Sequence, residues 1–155
     1  AGNLRPGEMV NDQPLGAYPN PHEPSQAGLE GETRPAAGGN CAACHQATGM
    51  GLPGAFPPLA GSEWVLASKD IPIQILLHGM SGPITVKGSL YAGVMPAFAQ
   101  LEDAEIAAVL THVRKSWGNA AAEITADDIA SGRKAFADKS TPWSEAELKD
   151  KVGAP

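Results

Sequence analysis

Two thiols and an imidazole fall within five consecutive residues, Cys41-Ala42-Ala43-Cys44-His45. Two thiols at this spacing can add across the two vinyl groups of one porphyrin, and the adjoining histidine then reaches the iron from the same side. This is the pattern of c-type haem attachment, with Cys41 and Cys44 forming thioethers and His45 supplying an iron ligand. Other chemistries also use a pair of cysteines. A thioredoxin-like redox pair follows a strand in a βαβ setting, whereas Pro35, Gly38 and Gly39 precede Cys41 without any strand-like run. A structural zinc site takes four ligands, and these are the only two cysteines in the chain. A plain disulfide across a two-residue gap is disfavoured as well. The expectation is one covalent haem c.

The rest of the chain has to build a pocket around that group. Its 155 residues suit one domain with some additional length. Apolar content of 43% is ordinary, while 18 glycines and 14 prolines point to a loop-rich fold with short helices. A formal net charge of -6 argues against nucleic acid or an anionic membrane surface as partner and favours a basic protein. No stretch reaches the roughly 20 apolar residues that span a bilayer, and no charged-then-apolar leader opens the sequence. Haem c is attached outside the bacterial cytoplasm, so the motif implies a periplasmic location, with a signal or membrane tether removed from this form.

Residues 1–38 carry six prolines and almost no periodic apolar spacing, and read as an irregular Pro/Gly-rich extension. Residues 46–61 form a Gly/Pro loop whose backbone is expected to pass close to something flat, because glycine lacks the Cβ that would block the approach. A short helix is predicted from Asp70, as cap, through Leu77, with Pro72 in its first turn and Gly79 ending it. Its overlapping apolar faces, including Ile71, Ile73, Ile75, Leu76 and Leu77, should be buried against the haem. Residues 84–91 alternate around Lys87-Gly88 and read as a small β-hairpin. From Glu102 to Trp117 the residues Ile106, Val109, Leu110, Val113 and Trp117 recur at helical spacing, with acids early, bases late and Gly118 beyond. A second helix is predicted from Thr125 to about Ala137, where Thr125 and Asp128 form a variant capping box. The segment around Trp143 makes a last short turn.

The haem motif, the stretch from Gly49 to Trp64 that fits GxGxPGxFPPLAGSxW, and Gly93-Val94-Met95-Pro96-Ala97-Phe98 together resemble a class I monohaem cytochrome c of the bacterial respiratory type. The resemblance implies an all-α cytochrome c fold with a small β-hairpin. It covers a haem domain at residues 39–119, preceded by the atypical extension and followed by an extra helical extension at residues 120–155. In that family the sixth ligand is the methionine of the GxMPxF segment, here Met95, and a proline carbonyl, here that of Pro57, accepts a hydrogen bond from the axial histidine. Leu59, Trp64, Ile75, Leu76 and Phe98 are candidates for the low-polarity pocket, with Tyr91 beside them at the head of the methionine segment.

Other residues could in principle compete for the iron. Met50 follows His45 by only five residues and should be held on the proximal side, packed against the ring. Met80 sits in a loop after Gly79 and needs Gly82-Pro83 to turn it inward, while Met9 lies in the extension. His22 reads as solvated, His78 as hydrogen-bonded or dipole-paired at a helix end, and His112 as satisfied.

Taken as that family member, the chain is expected to be a monomeric one-electron carrier and not an enzyme. A quinol-oxidising complex is the expected donor and a terminal oxidase the expected acceptor. Met9, Asp12, Gln13 and Pro14 bear a slight likeness to the start of the cytochrome subunit of alternative complex III. Docking is expected on a patch of small or apolar residues, Ala42, Ala43, Gly49, Met50, Pro53, Ala55, Pro96 and Ala97. The alternative is a haem enzyme or gas sensor in which the distal methionine is displaced. One departure stands out: no aromatic occurs between Tyr18 and Phe56, although the family's first helix carries one just before the first cysteine. The segment near Ile129 to Phe136 is expected to pack on the core in that helix's place, with Gly132 as notch and Phe136 as ring.

Overall fold

Residues 41–45 are helical and end in a chain of tight turns, the first step of the computed structural model, which describes residues 41–155. The expectations for residues 1–38 and for the family's first helix lie outside the described residues. Next come a one-turn helix α1 (Glu63–Leu66) and α2 (Asp70–His78). Lys69 and not Asp70 occupies the N-cap of α2, and no side chain caps it. Pro72 lies in the first turn, where a missing N–H leaves no bond unmade.

Gly79 ends α2 at φ 78°, its N–H bonded to the Ile75 carbonyl at 2.7 Å. A Cβ there would stand 2.5 Å from the Met95 carbonyl oxygen, so only glycine lets the later strand pass this close. That strand, β4 (Val94–Met95), pairs antiparallel with β1 (Met80–Ser81), placing Met80 against Met95 and Ser81 against Val94. Between them β2 (Ile84–Val86) and β3 (Ser89–Tyr91) form the expected hairpin. Lys87 and Gly88 both have positive φ, 50° and 80°, the requirement of a two-residue turn that follows strand twist.

Three longer-spaced helices complete the fold: α3 (Asp103–Lys115), α4 (Ala126–Ala135) and α5 (Glu145–Lys151). Each begins with a reciprocal capping box, Glu102 with Glu105, Thr125 with Asp128, and Ser144 with Glu147. The described chain is thus helical with two small antiparallel pairs, and its core divides about α2. Ile73, Leu76 and Leu77 join Ile106, Ala107, Leu110, Ile124 and Ile129 in one buried cluster. Ile71 joins Trp64, Met80, Val86, Trp143 and Leu148 in the other. The apolar run expected to face the haem therefore faces three ways, and only Pro72, Ile75 and Leu76 of α2 reach the cavity described below.

Helix α4 packs on both α2 and α3. The notch expected at Gly132 exists: a Cβ there would be 2.6 Å from Ile73 Cγ2, and the buried Gln74 side chain donates to the Gly132 carbonyl at 2.8 Å. Phe136 meets Trp143 edge-on at 5.0 Å between ring centroids. Arg133 ties the same helix to the start of α3 through Asp103 at 2.6 Å and the carbonyls of Ala99 and Leu101.

Candidate functional site

The helical turn at 41–45 places Cys41, Cys44 and His45 along one end of a cavity of about 380 Å³. The turn stops at Gln46, at φ 67° the first of five positive-φ positions in this loop, which include Gly49 at φ 71°. The loop then folds back so that the Pro57 carbonyl oxygen lies 2.7 Å from His45 Nδ1. A carbonyl can only accept, so Nδ1 carries the proton and the neutral ring keeps its lone pair at Nε2. Burial pushes the His45 pKa below its ordinary value, with the Pro57 bond opposing this in part. A neutral, oriented imidazole is what iron ligation requires. Burial, and secondarily Cys44, pushes the Cys41 thiol up, whereas the reactive thiol of a redox pair is shifted down.

The other walls come from well-separated parts of the chain. Leu59, Trp64, Ile75, Leu76 and Tyr91 line the cavity, as do Pro57 and Met95. Trp64 is fixed by its indole N–H, which donates to the Thr85 carbonyl at 2.8 Å. Phe98 is not among the lining residues. Its backbone N–H bonds the Leu76 carbonyl at 2.8 Å, and its ring packs on the cluster of Ile73, Leu77 and Ile106. In place of Phe98, the wall includes Val109, Leu110 and Val113 of α3 and Met80 of β1.

Several positions differ from expectation. Met50 is 59% exposed and does not line the cavity. Gly49 is buried and not part of a surface patch: what it passes closely is the Trp117 indole, which a Cβ would meet at 2.5 Å. Trp117 in turn donates to the Ala47 carbonyl at 3.1 Å. The rest of the expected patch is better matched: Ala43, Pro53, Ala55, Pro96 and Ala97 are exposed, and Leu52 adds 49% exposure beside Met50. His78 Nε2 is buried without a hydrogen-bond partner among the described residues, its ring edge-on to Trp143 at 6.0 Å. His112 lies on the exposed side of α3 beside Ser116 and Trp117.

Two positioning residues escaped the sequence reading. Asn119 is buried and binds the loop to α3, donating to the carbonyls of Leu59 and Val113 and accepting from Gly61 N–H at 2.8 Å. An asparagine just past a helix-ending glycine was the available signal. Trp143, fully buried, anchors the last segment, and a lone tryptophan in a polar tail was the sign of it.

An apolar cavity that brings together two thiols, an oriented neutral imidazole and a thioether suits a covalently held haem c, and among the described residues no other group of side chains offers that donor set. Comparison with known proteins agrees. Residues 32–117 match the cytochrome c family model. The chain is 44% identical over 122 residues to cytochrome c-552 of Thermus thermophilus, covering 73% of this chain and 91% of that protein. It is also 40% identical over 102 residues to the gluconate 2-dehydrogenase cytochrome c subunit of Pantoea cypripedii, and 37% over 106 residues to the cytochrome c subunit of the quinone alcohol dehydrogenase of Gluconobacter oxydans. Those matches take in 61% and 66% of this chain but only 22% of either subunit. By its motif, its cavity and these relatives, the chain belongs to the cytochrome c family.

Proposed function

We propose that this protein is a periplasmic one-electron carrier of a respiratory chain, its haem c bound through Cys41 and Cys44 and ligated by His45 and Met95. The observation that carries this reading is the 2.7 Å bond from His45 Nδ1 to Pro57, on a cavity that Met95 also lines. When bound, the haem supplies an iron that alternates between ferric and ferrous without making or breaking covalent bonds to substrate. The chain's own residues do the rest. Pro57 holds the imidazole in one orientation, and Leu59, Trp64, Ile75, Leu76 and Tyr91 exclude water. A thioether ligand and a low-polarity wall both favour the less charged ferrous state and so raise the potential.

The segment from residue 120 onward serves as an extension that packs on the haem domain of residues 39–119, and the Pro/Gly-rich residues 1–38 serve as a tether to a larger complex. No helix among the described residues is long and apolar enough to cross a membrane. A quinol-oxidising complex as donor and a terminal oxidase as acceptor fit a monomeric carrier. The dehydrogenase subunits among the relatives add quinone-linked dehydrogenases to the donors worth testing. Exposed Met50, Leu52 and Val94 offer a small apolar contact of the kind that permits brief docking.

The test is spectroscopic. Protein made with haem-ligation machinery should give a haem c pyridine haemochrome, and its ferric form should show the far-red thioether-to-iron band. Carbon monoxide should leave the ferrous spectrum unchanged. Rapid carbon monoxide binding by the native protein would overturn the saturated, His/Met-ligated reading in favour of a ligand-binding haem protein.

A further inference from the structure

Met80 stands directly opposite Met95 in the antiparallel β1–β4 pair, and both side chains line the cavity that His45 also lines. Residues opposite each other in an antiparallel pair project to the same face, with Cβ atoms about 4.5–5.5 Å apart. Of the neighbouring pair, Ser81 does not line the cavity and Val94 lies at its open rim, 72% exposed, while Met80 is only 6% exposed. Two neutral thioethers are therefore presented side by side to one space, on side chains long and flexible enough to exchange places.

Met80 is also the better anchored of the two. Its strand is held on one edge by Met95 and on the other by Trp143, which accepts from Ser81 N–H at 2.8 Å and donates to the Gly79 carbonyl at 2.9 Å. The Met95 strand has β1 alone as its partner. Loss or displacement of the Met95 side chain would leave β1 in position, with its thioether still in the cavity wall.

Resting on the ligation proposed above, we infer that Met80 is a reserve axial ligand that takes the sixth iron position when Met95 leaves it. The exchange breaks one iron–sulfur bond and forms another. Both sulfurs are neutral thioethers, so no proton or electron is gained or lost. A cytochrome so built stays six-coordinate, and closed to small ligands, when its resident methionine is removed.

The experiment compares Met95→Ala with the double variant Met95→Ala/Met80→Leu, both loaded with haem, and repeats the pair on Met95→Leu in case the smaller side chain impairs folding. The single variants should keep a far-red thioether band and the double variants should lose it. A reserve ligand lowers apparent carbon monoxide affinity by the fraction of iron left open, so the double variants should bind it at least about tenfold more tightly. Equal carbon monoxide binding in single and double variants, with the band absent from both, would overturn the inference and leave the Met95 assignment intact. Loss of the band in Met80→Leu alone, with its retention in Met95→Ala, would make Met80 the resident ligand and overturn both.

Discussion

Trp143 runs parallel to Met80, bonded through its backbone to Gly79 on one side and Ser81 on the other. Its ring is fully buried among Met80, Trp64, Ile71, Val86 and Leu148, with Phe136 edge-on and Lys139 Nζ 4.2 Å from the ring centroid. The tail thereby reaches the strand that carries the Met95 partner. Trp143→Ala removes the largest side chain of that cluster, and a cost of about 3–5 kcal/mol is expected. Thermal melting checks the magnitude. The far-red band of the holoprotein, followed against temperature, should vanish well below its wild-type midpoint, whereas Trp143→Phe should retain part of the difference.

Gly132 offers a test in which two effects oppose each other. In a helix interior alanine is favoured over glycine by about 1 kcal/mol, but here the new methyl would lie 2.6 Å from Ile73 Cγ2 and 3.3 Å from Gln74 Nε2. Overpacking of that severity costs about 1–3 kcal/mol, and it endangers the buried Gln74 to Gly132 bond. Gly132→Ala should therefore destabilise on balance in denaturant unfolding. Truncation after Asn119 should do so far more, since it strips Ile129, Trp143 and Leu148 from their clusters.

The sequence carried most where chemistry or turn geometry restricts the choice of residue. Cys41, Cys44 and His45 are adjacent and their spacing needs no fold to interpret. Lys87-Gly88 and the Thr125–Asp128 cap are local as well, and both formed where expected. Misreadings arose where tertiary packing decides. Gly49 and Trp117 are 68 residues apart in sequence, so nothing local reveals that the flat group this glycine passes closely is an indole. Phe98 was misplaced, and the inward turn of Met80 left undecided, for the same reason: which side of a two-residue strand or a short loop faces the cavity follows from register, and that register depends on Gly79 and Trp143.

Acid should weaken the attachment of the C-terminal extension. Asp128 accepts from Thr125 N–H at 2.9 Å and pairs with Lys69 Nζ at 3.2 Å. The Thr125 backbone bond foremost, and Lys69 after it, hold its pKa below the ordinary value, against some opposing desolvation. Glu145 is held down likewise, first by the Thr85 N–H and then by Lys149. A carboxylate depressed in the folded state contributes stability that is fully present above its unfolded pKa and lost as pH falls through the folded one. Stability should thus decline from just above pH ~4 downward. Both groups are partly exposed, so solvent screening keeps each effect small. Asp128→Asn should flatten the acid limb of the stability profile, measured by urea unfolding across pH.

Arg114 couples stability to potential. Its guanidinium is buried at 4% exposure and donates to the carbonyls of Val65, Ala67 and Ala122, with no carboxylate paired to it among the described residues. Val65 and Val113, its bonded partner and its chain neighbour, both line the cavity. Burial lowers its pKa somewhat, yet a guanidinium stays charged in a protein. A buried cation near the cavity disfavours the ferric state, which carries one positive charge more than the ferrous, and so raises the potential. Arg114→Met should lower the midpoint in a redox titration and cost about 1–3 kcal/mol by stranding the buried Val65 carbonyl and leaving two partly buried ones, of Ala67 and Ala122, without their donor. Arg114→Lys retains the charge but loses the fork that reaches all three. It should hold the potential nearer the wild-type value while still lowering stability, and a fall in potential equal to that of the methionine variant would show that packing and not charge is responsible.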